Sequence, residues 1–424
     1  MDAFALSSIL LVVAALLAFI NRRFIGLPST IGVMAMALVA SLIMVGVGAV
    51  SPHFIEVVRK LLEDVNFSDA LLDVMLAFLL FAGALHVKLE DLAGQRWIIG
   101  ALATVGVVIS TVAVGALTKL FFAATGHPMP WLHCFLFGAL IAPTDPIAVL
   151  GILKSAGVKK SLETKVTGES LFNDGVGVVV FVALLGFATA DHGTTAGEIG
   201  ILFAKEVIGA LGLGVAFGVF TYWLMRQIDD YLVEVLLSLA LCAGVYSLAG
   251  ALHSSGPLAV VVAGLLVGNQ GRKSAMSNQT VQRLDDFWEL CDELLNVLLF
   301  VLIGLEVLVI PWSPVRLMFG LVAIPMTLMV RFLAVGGTVK ALSATREFDP
   351  GTVRILTWGG LRGGISIALA LILRDSVGDS ADILLTATYV VVVFSIVVQG
   401  LTVGKLAARV DRQTAEIAAA AKLP

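Results

Sequence analysis

Apolar stretches of bilayer-spanning length recur along almost the whole chain, with only short polar loops between them. Windows at approximately 3–20, 28–50, 69–87, 97–122, 131–153, 164–190, 199–225, 233–252, 256–268, 288–310, 315–342, 353–373 and 383–405 predict thirteen transmembrane helices. The ninth is shorter than a bilayer ordinarily requires. No basic segment precedes the first window, and no small-residue cleavage signature precedes the loop Asn21, Arg22, Arg23. It is therefore expected to be a retained helix and not a removed leader. The pattern predicts an all-α polytopic membrane protein, with a membrane domain over residues 1–405 and a short tail over 406–424.

Composition agrees with this class: 59% of residues are hydrophobic, only 14% are charged, and the mean hydropathy is +1.01. Such a chain is not a soluble domain. The net charge of −4 and the absence of a basic patch outside the loops argue against nucleic acid as a partner. Cys134, Cys242 and Cys291 fall in or beside apolar windows without metal-ligand spacing, and read as small packed hydrophobes.

Basic residues divide unevenly between alternate loops. One set carries Arg22, Arg23, Lys88, Arg96, Lys154, Lys159, Lys160, Lys165, Arg226, Arg272, Lys273, Arg283, Lys340, Arg346, Arg354, Lys405, Arg409, Arg412 and Lys422. The other carries Arg59, Lys60, Lys119, Arg316 and Arg374. Cytoplasmic loops collect Lys and Arg, so thirteen spans place the N-terminus outside and the C-terminus in the cytoplasm. Lys205, Arg331 and Arg362 belong to neither set, and the last two lie deep within predicted spans.

Charged residues inside spans are costly and mark function by default. The sixth span carries Glu169, Asn173 and Asp174 in TKVTGESLFNDGVGVVVFVALLG. The fifth is interrupted by Pro143, Thr144, Asp145 and Pro146, where each Pro removes a backbone donor. The twelfth is weakened by Gly359, Gly360, Gly363 and Gly364 around Arg362. If spans 1–6 (about 3–190) and 8–13 (about 233–405) are two inverted six-helix repeats, with span seven (about 199–225) as linker, the interruptions fall at the fifth place of each. Paired breaks at corresponding places point to a transporter's midplane site.

Thr144 or Asp145 can cap the second half of the fifth span, with Pro146 at its first position, and Arg362 can offset a negative helix end. Depth counting from the nearest loop bases, Lys154, Lys165, Lys340 and Arg354, puts Asp145, Asp174, Arg331 and Arg362 near one level, roughly 12–14 Å from the inner boundary. Glu169 lies about a turn and a half below Asp174.

APTDPIAV (142–149), GESLFNDGVGVVVF (168–181), MVRFLAVGG (329–337) and GGLRGGISIALAL (359–371) follow one another in an order that resembles the monovalent cation:proton antiporters of the NhaP and sodium–hydrogen exchanger type. The resemblance covers nearly the whole chain. It implies an NhaA/NhaP-like fold of about 13 transmembrane helices in two inverted repeats with broken helices, assembled as a homodimer whose panel is built largely from spans 1–3 and 8–10. It implies exchange of a monovalent cation for H⁺, one for one, with Na⁺ as the expected substrate and Li⁺ or K⁺ as alternatives, and no cofactor. Asp174 corresponds to the carboxylate shared by cation and proton. Asn173, Ser170, Thr144 and Asp145 complete the site, with Asp174, Thr144 and Ser170 as cation ligands, and Glu169 pairs with Arg331. Localisation is expected in the cell membrane.

The resemblance departs at Ala82, in LLFAGALHV, where many relatives carry an acid. His86 lies nearby, as a structural or pH-sensing side chain. The run LDDFWELCDELLN, with Asp285, Asp286, Glu289, Asp292 and Glu293, reads as a solvated amphipathic face or as a cation-attracting funnel. A cation channel remains a second hypothesis, although no filter-like repeat is present. An intramembrane enzyme is a third, but the serines of HSSGP (253–257) and GES (168–170) lack a positioned base.

Overall fold

The computed structural model describes residues 3–50, 70–145, 149–150, 153, 158–189, 196–308, 310, 312–346, 348–375 and 377–420. Arg59, Lys60, Pro146, Lys154 and Lys422, used in the sequence reading, lie outside them. The described residues are helical almost throughout, and the only strand-like pairing among them is a single bridge between Asp145 and Leu361.

The helices are α1 (Ala3–Ile20), α2 (Ser29–Val50), α3 (Ala70–His86), α4 (Leu89–Ala101), α5 (Val107–Ala124), α6 (Trp131–Ile141), α7 (Lys160–Thr189) and α8 (Ala196–Met225). They continue as α9 (Tyr231–Ala251), α10 (Gly256–Leu266), α11 (Asn278–Glu306), α12 (Pro314–Leu342), α13 (Thr352–Trp358), α14 (Gly364–Ile372), α15 (Asp379–Phe394) and α16 (Gly400–Ala420). A π-helical turn, Leu102–Gly106, joins α4 to α5 without a loop, and another, Ser395–Gln399, joins α15 to α16. The expected segments fall on these helices singly or in pairs, except that the fifth, 131–153, is covered only in its first half by α6 and includes residues outside those described.

Several helices outrun the hydropathy windows. The helix holding Arg96 starts at Leu89, and α11 starts ten residues before the expected Phe287–Trp288 boundary, at Asn278 behind the Ser277 cap. A hydropathy window detects the lipid-buried part of a helix, whereas backbone hydrogen bonding continues into the polar interface wherever a cap satisfies the first donors. Ser277 Oγ does this, accepting from Thr280 N at 3.3 Å.

Aromatic packing holds α6 and α12 together. Phe121 and Phe122 of α5, Phe137 of α6 and Phe319 of α12 form one cluster, with ring centroids 4.8–5.3 Å apart. Phe78 and Phe81 of α3 meet Trp288 of α11, whose Nε1 donates to Ser238 Oγ on α9 at 2.9 Å. Buried aromatics of this kind carry large contact areas in defined geometry. They tie α5, α6 and α12 into one group and α3, α9 and α11 into another.

Candidate functional site

The site is built where two interrupted helices cross. α6 stops at Ile141 because Pro143 removes a backbone donor, and the chain runs extended through Thr144 to Asp145. α13 stops at Trp358, and α14 restarts only at Gly364. The two extended segments pair back to back, with Asp145 N donating to Leu361 O at 2.8 Å. A Cβ on Gly363 would stand 2.5 Å from Asp145 Oδ2, so glycine is what permits this approach.

α7 passes beside the crossing. Positions 170, 173 and 174 share one face of a helix, and position 169 is turned about 100° away from Ser170. Accordingly Asn173 Oδ1 accepts from Thr144 N at 3.1 Å, and Asn173 Nδ2 donates to Thr144 Oγ1 at 2.8 Å. Thr144 and Ser170 hydroxyls are 3.0 Å apart. Asn173 thus pins the unwound segment with both ends of its amide. The Thr144 hydroxyl bonds Asn173 and Ser170, and the residues that Thr144 or Asp145 was expected to cap lie outside those described.

Glu169, at the edge of that face beside Asn173, pairs with Arg331 Nη1 of α12. Arg331 Nη2 also donates to Leu356 O at 3.1 Å, near the end of α13. Both partners are buried. Arg362 donates through Nη1 to the carbonyls of Ala142 and Pro143, the second at 2.9 Å. It therefore covers the negative end of α6, the opposite broken helix and not its own, where carbonyls would otherwise lack partners.

Asp174 is buried, 5% exposed, and among the described residues no group donates a hydrogen bond to its carboxylate. Asp145 and Arg362 are the charges that act on it. A buried carboxylate left without donors, beside two hydroxyls and a second carboxylate, is a place for a proton or a small cation.

Two site-supporting residues escaped the sequence reading. Ser395 Oγ accepts from Arg362 N at 2.9 Å and donates to Gln399 Oε1 at 2.8 Å, while Gln399 Nε2 donates to Trp358 O at 3.0 Å. Their signal was two polar residues four apart in the apolar run VVVVFSIVVQGL. Ala82 is fully buried, and its carbonyl bonds His86 Nδ1 at 2.8 Å; His86 Nε2 lies 3.8 Å from Asp285. The three cysteines are free, and no cluster of metal-binding side chains occurs among the described residues.

A family model described as sodium/hydrogen exchanger, transmembrane, matches residues 10–409. The chain belongs to the sodium/hydrogen exchanger family. Like other members of this transporter family, it is a multi-pass membrane protein, and seven of its described helical stretches are long and apolar enough to cross a bilayer. It is 49% identical over 400 residues to the Na⁺/H⁺ antiporter NhaP of Pseudomonas aeruginosa, covering 93% of this chain and 94% of the relative. It is 36% identical over 357 residues to the Na⁺/H⁺ antiporter NhaH of Halobacillus dabanensis, covering 82% and 85% respectively. Its fold matches the solved sodium proton antiporter MjNhaP1 of Methanocaldococcus jannaschii with a TM-score of 0.73 at 18% identity, over 97% of this chain and 99% of that one.

Proposed function

We propose that this exchanger moves Na⁺ in one direction and H⁺ in the other, with Asp174 as their shared carrier. The observation that carries the reading is the donor-free, buried Asp174 carboxylate at the crossing of the broken helices. Asp174, Thr144 and Ser170 supply the oxygens for the cation, Asn173 holds Thr144 in place, and Asp145 adds negative charge. Glu169 with Arg331, and Arg362 on the α6 carbonyls, fix the electrostatic frame. K⁺ and Li⁺ fit the same kind of oxygen set, so they remain competing substrates.

Alternating access follows from moving the crossed helices and α7 against the rest. The chain comprises two inverted six-helix repeats over about 3–190 and 233–405, with α8 as linker and residues 406–424 as a cytoplasmic tail. It works as a homodimer in the cell membrane, N-terminus outside. The basic-loop asymmetry supports the orientation, and the unpaired apolar residues Leu11, Val12, Leu16 and Phe19 of α1 support a peripheral panel.

The test is dissipation of an imposed pH gradient in everted vesicles on adding Na⁺, Li⁺ or K⁺. Na⁺-dependent dissipation that needs no ionophore is expected. A cation flux that requires a compensating ionophore indicates a channel and rejects exchange.

A further inference from the structure

The acidic run at the start of α11 is amphipathic with one exception. Asp286, Glu289 and Glu293 are exposed, and Asp285 bonds Arg272, whereas Leu284 and Trp288 point into the core. Asp292 lies on the inward side. Its Oδ1 is buried and has no hydrogen-bond partner among the described residues.

One turn further, Asn296 is 1% exposed, and its Oδ1 is likewise buried without a partner among the described residues. Asn296 Nδ2 donates to Asp292 O at 2.7 Å, which folds the amide back over that turn. Two buried oxygens without a partner among the described residues, Asp292 Oδ1 and Asn296 Oδ1, thus sit one turn apart on α11.

That turn adjoins the crossing. Residues 292, 296 and 299 share a helical face. Leu299 packs on Gly364, the first residue of α14, and the preceding Gly363 lies against Asp145. The charges that act on Asp292 are Asp145, Glu293 and Glu289, all acidic, and the Asn296 side chain hydrogen-bonds to its carboxyl group. No lysine or arginine neutralises it among the described residues.

The two oxygens that remain without donors among the described residues, Asp292 Oδ1 and Asn296 Oδ1, lie in a field of one sign and suit a cation. We infer that Asp292, with the Asn296 carboxamide oxygen, forms a second monovalent-cation position, from which the ion passes to Asp145 and Asp174. This rests on the exchange reading above. Because Asp292 is part-exposed and one α11 turn nearer the chain's basic 272–283 loop than Asn296, it serves the cytoplasmic approach on the proposed orientation.

The experiment compares wild type, Asp292→Asn, Asp292→Glu and Asn296→Leu for Na⁺-dependent exchange in vesicles and for Na⁺-dependent thermal stabilisation in detergent. Asp292→Asn and Asn296→Leu are expected to raise the apparent KM for Na⁺ about fivefold while changing the maximal rate by less than about twofold. Asp292→Glu should restore most of the affinity. An Asp174→Asn variant should lose exchange yet keep a weaker Na⁺-dependent stabilisation, which adding Asp292→Asn removes.

An unchanged KM in folded Asp292→Asn overturns the inference, as does a loss confined to the maximal rate. If Asp292→Asn does not fold, an unchanged Na⁺ response of Asn296→Leu overturns it instead. Failure of wild type to exchange Na⁺ rejects the exchange reading, and the stabilisation of Asp174→Asn then decides the second position alone.

Discussion

At the residue scale, two carboxylates five helical positions apart have opposite surroundings. Glu169 is saturated by Arg331, while Asp174 takes no hydrogen bond among the described residues. A donor-free carboxylate binds either a proton or a cation, and the two exclude each other. Below the site's pKa the apparent KM for Na⁺ should therefore rise about tenfold per pH unit, with the maximal rate changing much less. Vesicle kinetics at three or more pH values check this, and a pH-independent KM would sink the shared carrier. Asp174→Asn should abolish coupled exchange while leaving the melting temperature close to wild type, because it keeps the shape and removes the titrating group. For Glu169 the order of effects reverses. Glu169→Gln or Arg331→Gln strands one buried charge, so each should lose about 3–5 kcal/mol of stability, read as lowered folded yield and melting temperature in detergent. Wild-type melting in both variants would contradict a structural role for the pair.

At the element scale, what mattered was largely visible in the chain. Pro143 and the glycines around Arg362 announced two breaks, and the polar residues of GESLFND announced the helix that faces them. That Asp145 and Leu361 pair, and that Arg362 covers α6 and not its own half-helix, was not legible, because a crossing depends on three-dimensional approach over more than 200 residues of separation. Ser395 and Gln399 stayed hidden for a different reason: averaging over an apolar window dilutes two small polar groups. Asp292 was visible as one acid of LDDFWELCDELLN, but that it turns inward was not legible, because only packing distinguishes it from the exposed Asp286, Glu289 and Glu293.

A third link lies outside the crossing. Asp349, between α12 and α13, accepts from Lys159 Nζ at 2.6 Å and Ser161 Oγ at 2.7 Å at the start of α7, with Lys165 Nζ 3.8 Å away. The Lys159 and Ser161 bonds hold the Asp349 carboxyl below its usual range. A depressed carboxyl stabilises the fold above its unfolded pKa of about 3.9 and loses that contribution only as pH falls through the lower folded value. This clamp is thus constant through the physiological range. Asp349→Asn should lower stability by about 1 kcal/mol, equally at pH 6 and pH 8, since Lys159 is largely exposed. It should leave the pH profile of exchange where it was. A shifted profile in vesicles would make the clamp a pH sensor and refute this.

At the scale of the whole molecule, the enclosed charges decide how transport responds to voltage. Asp145, Glu169 and Asp174 face Arg331 and Arg362 around the crossing. With all five ionised, two positive and three negative charges leave one negative charge. One bound Na⁺ brings that sum to zero, and so does one bound proton. Asn173 contributes a neutral amide and no further titration, and Asp292 on α11 is counted apart because it is not among the charges that act on Asp174 or Arg362. The moving core then carries no net charge in either loaded state, so the membrane potential has nothing to act on in the transporting steps; by contrast one unbalanced charge crossing the membrane would feel about 2.3 kcal/mol per 100 mV. Exchange should therefore be one-for-one, and its rate in proteoliposomes with the pH gradient clamped should be insensitive to an imposed potassium diffusion potential of either sign. Strong acceleration by the potential would mean that a second proton moves with each turnover. Asp145 is then the group to suspect, because it is the other carboxylate acting on Asp174, and Asp145→Asn should abolish the voltage dependence if it carries that proton.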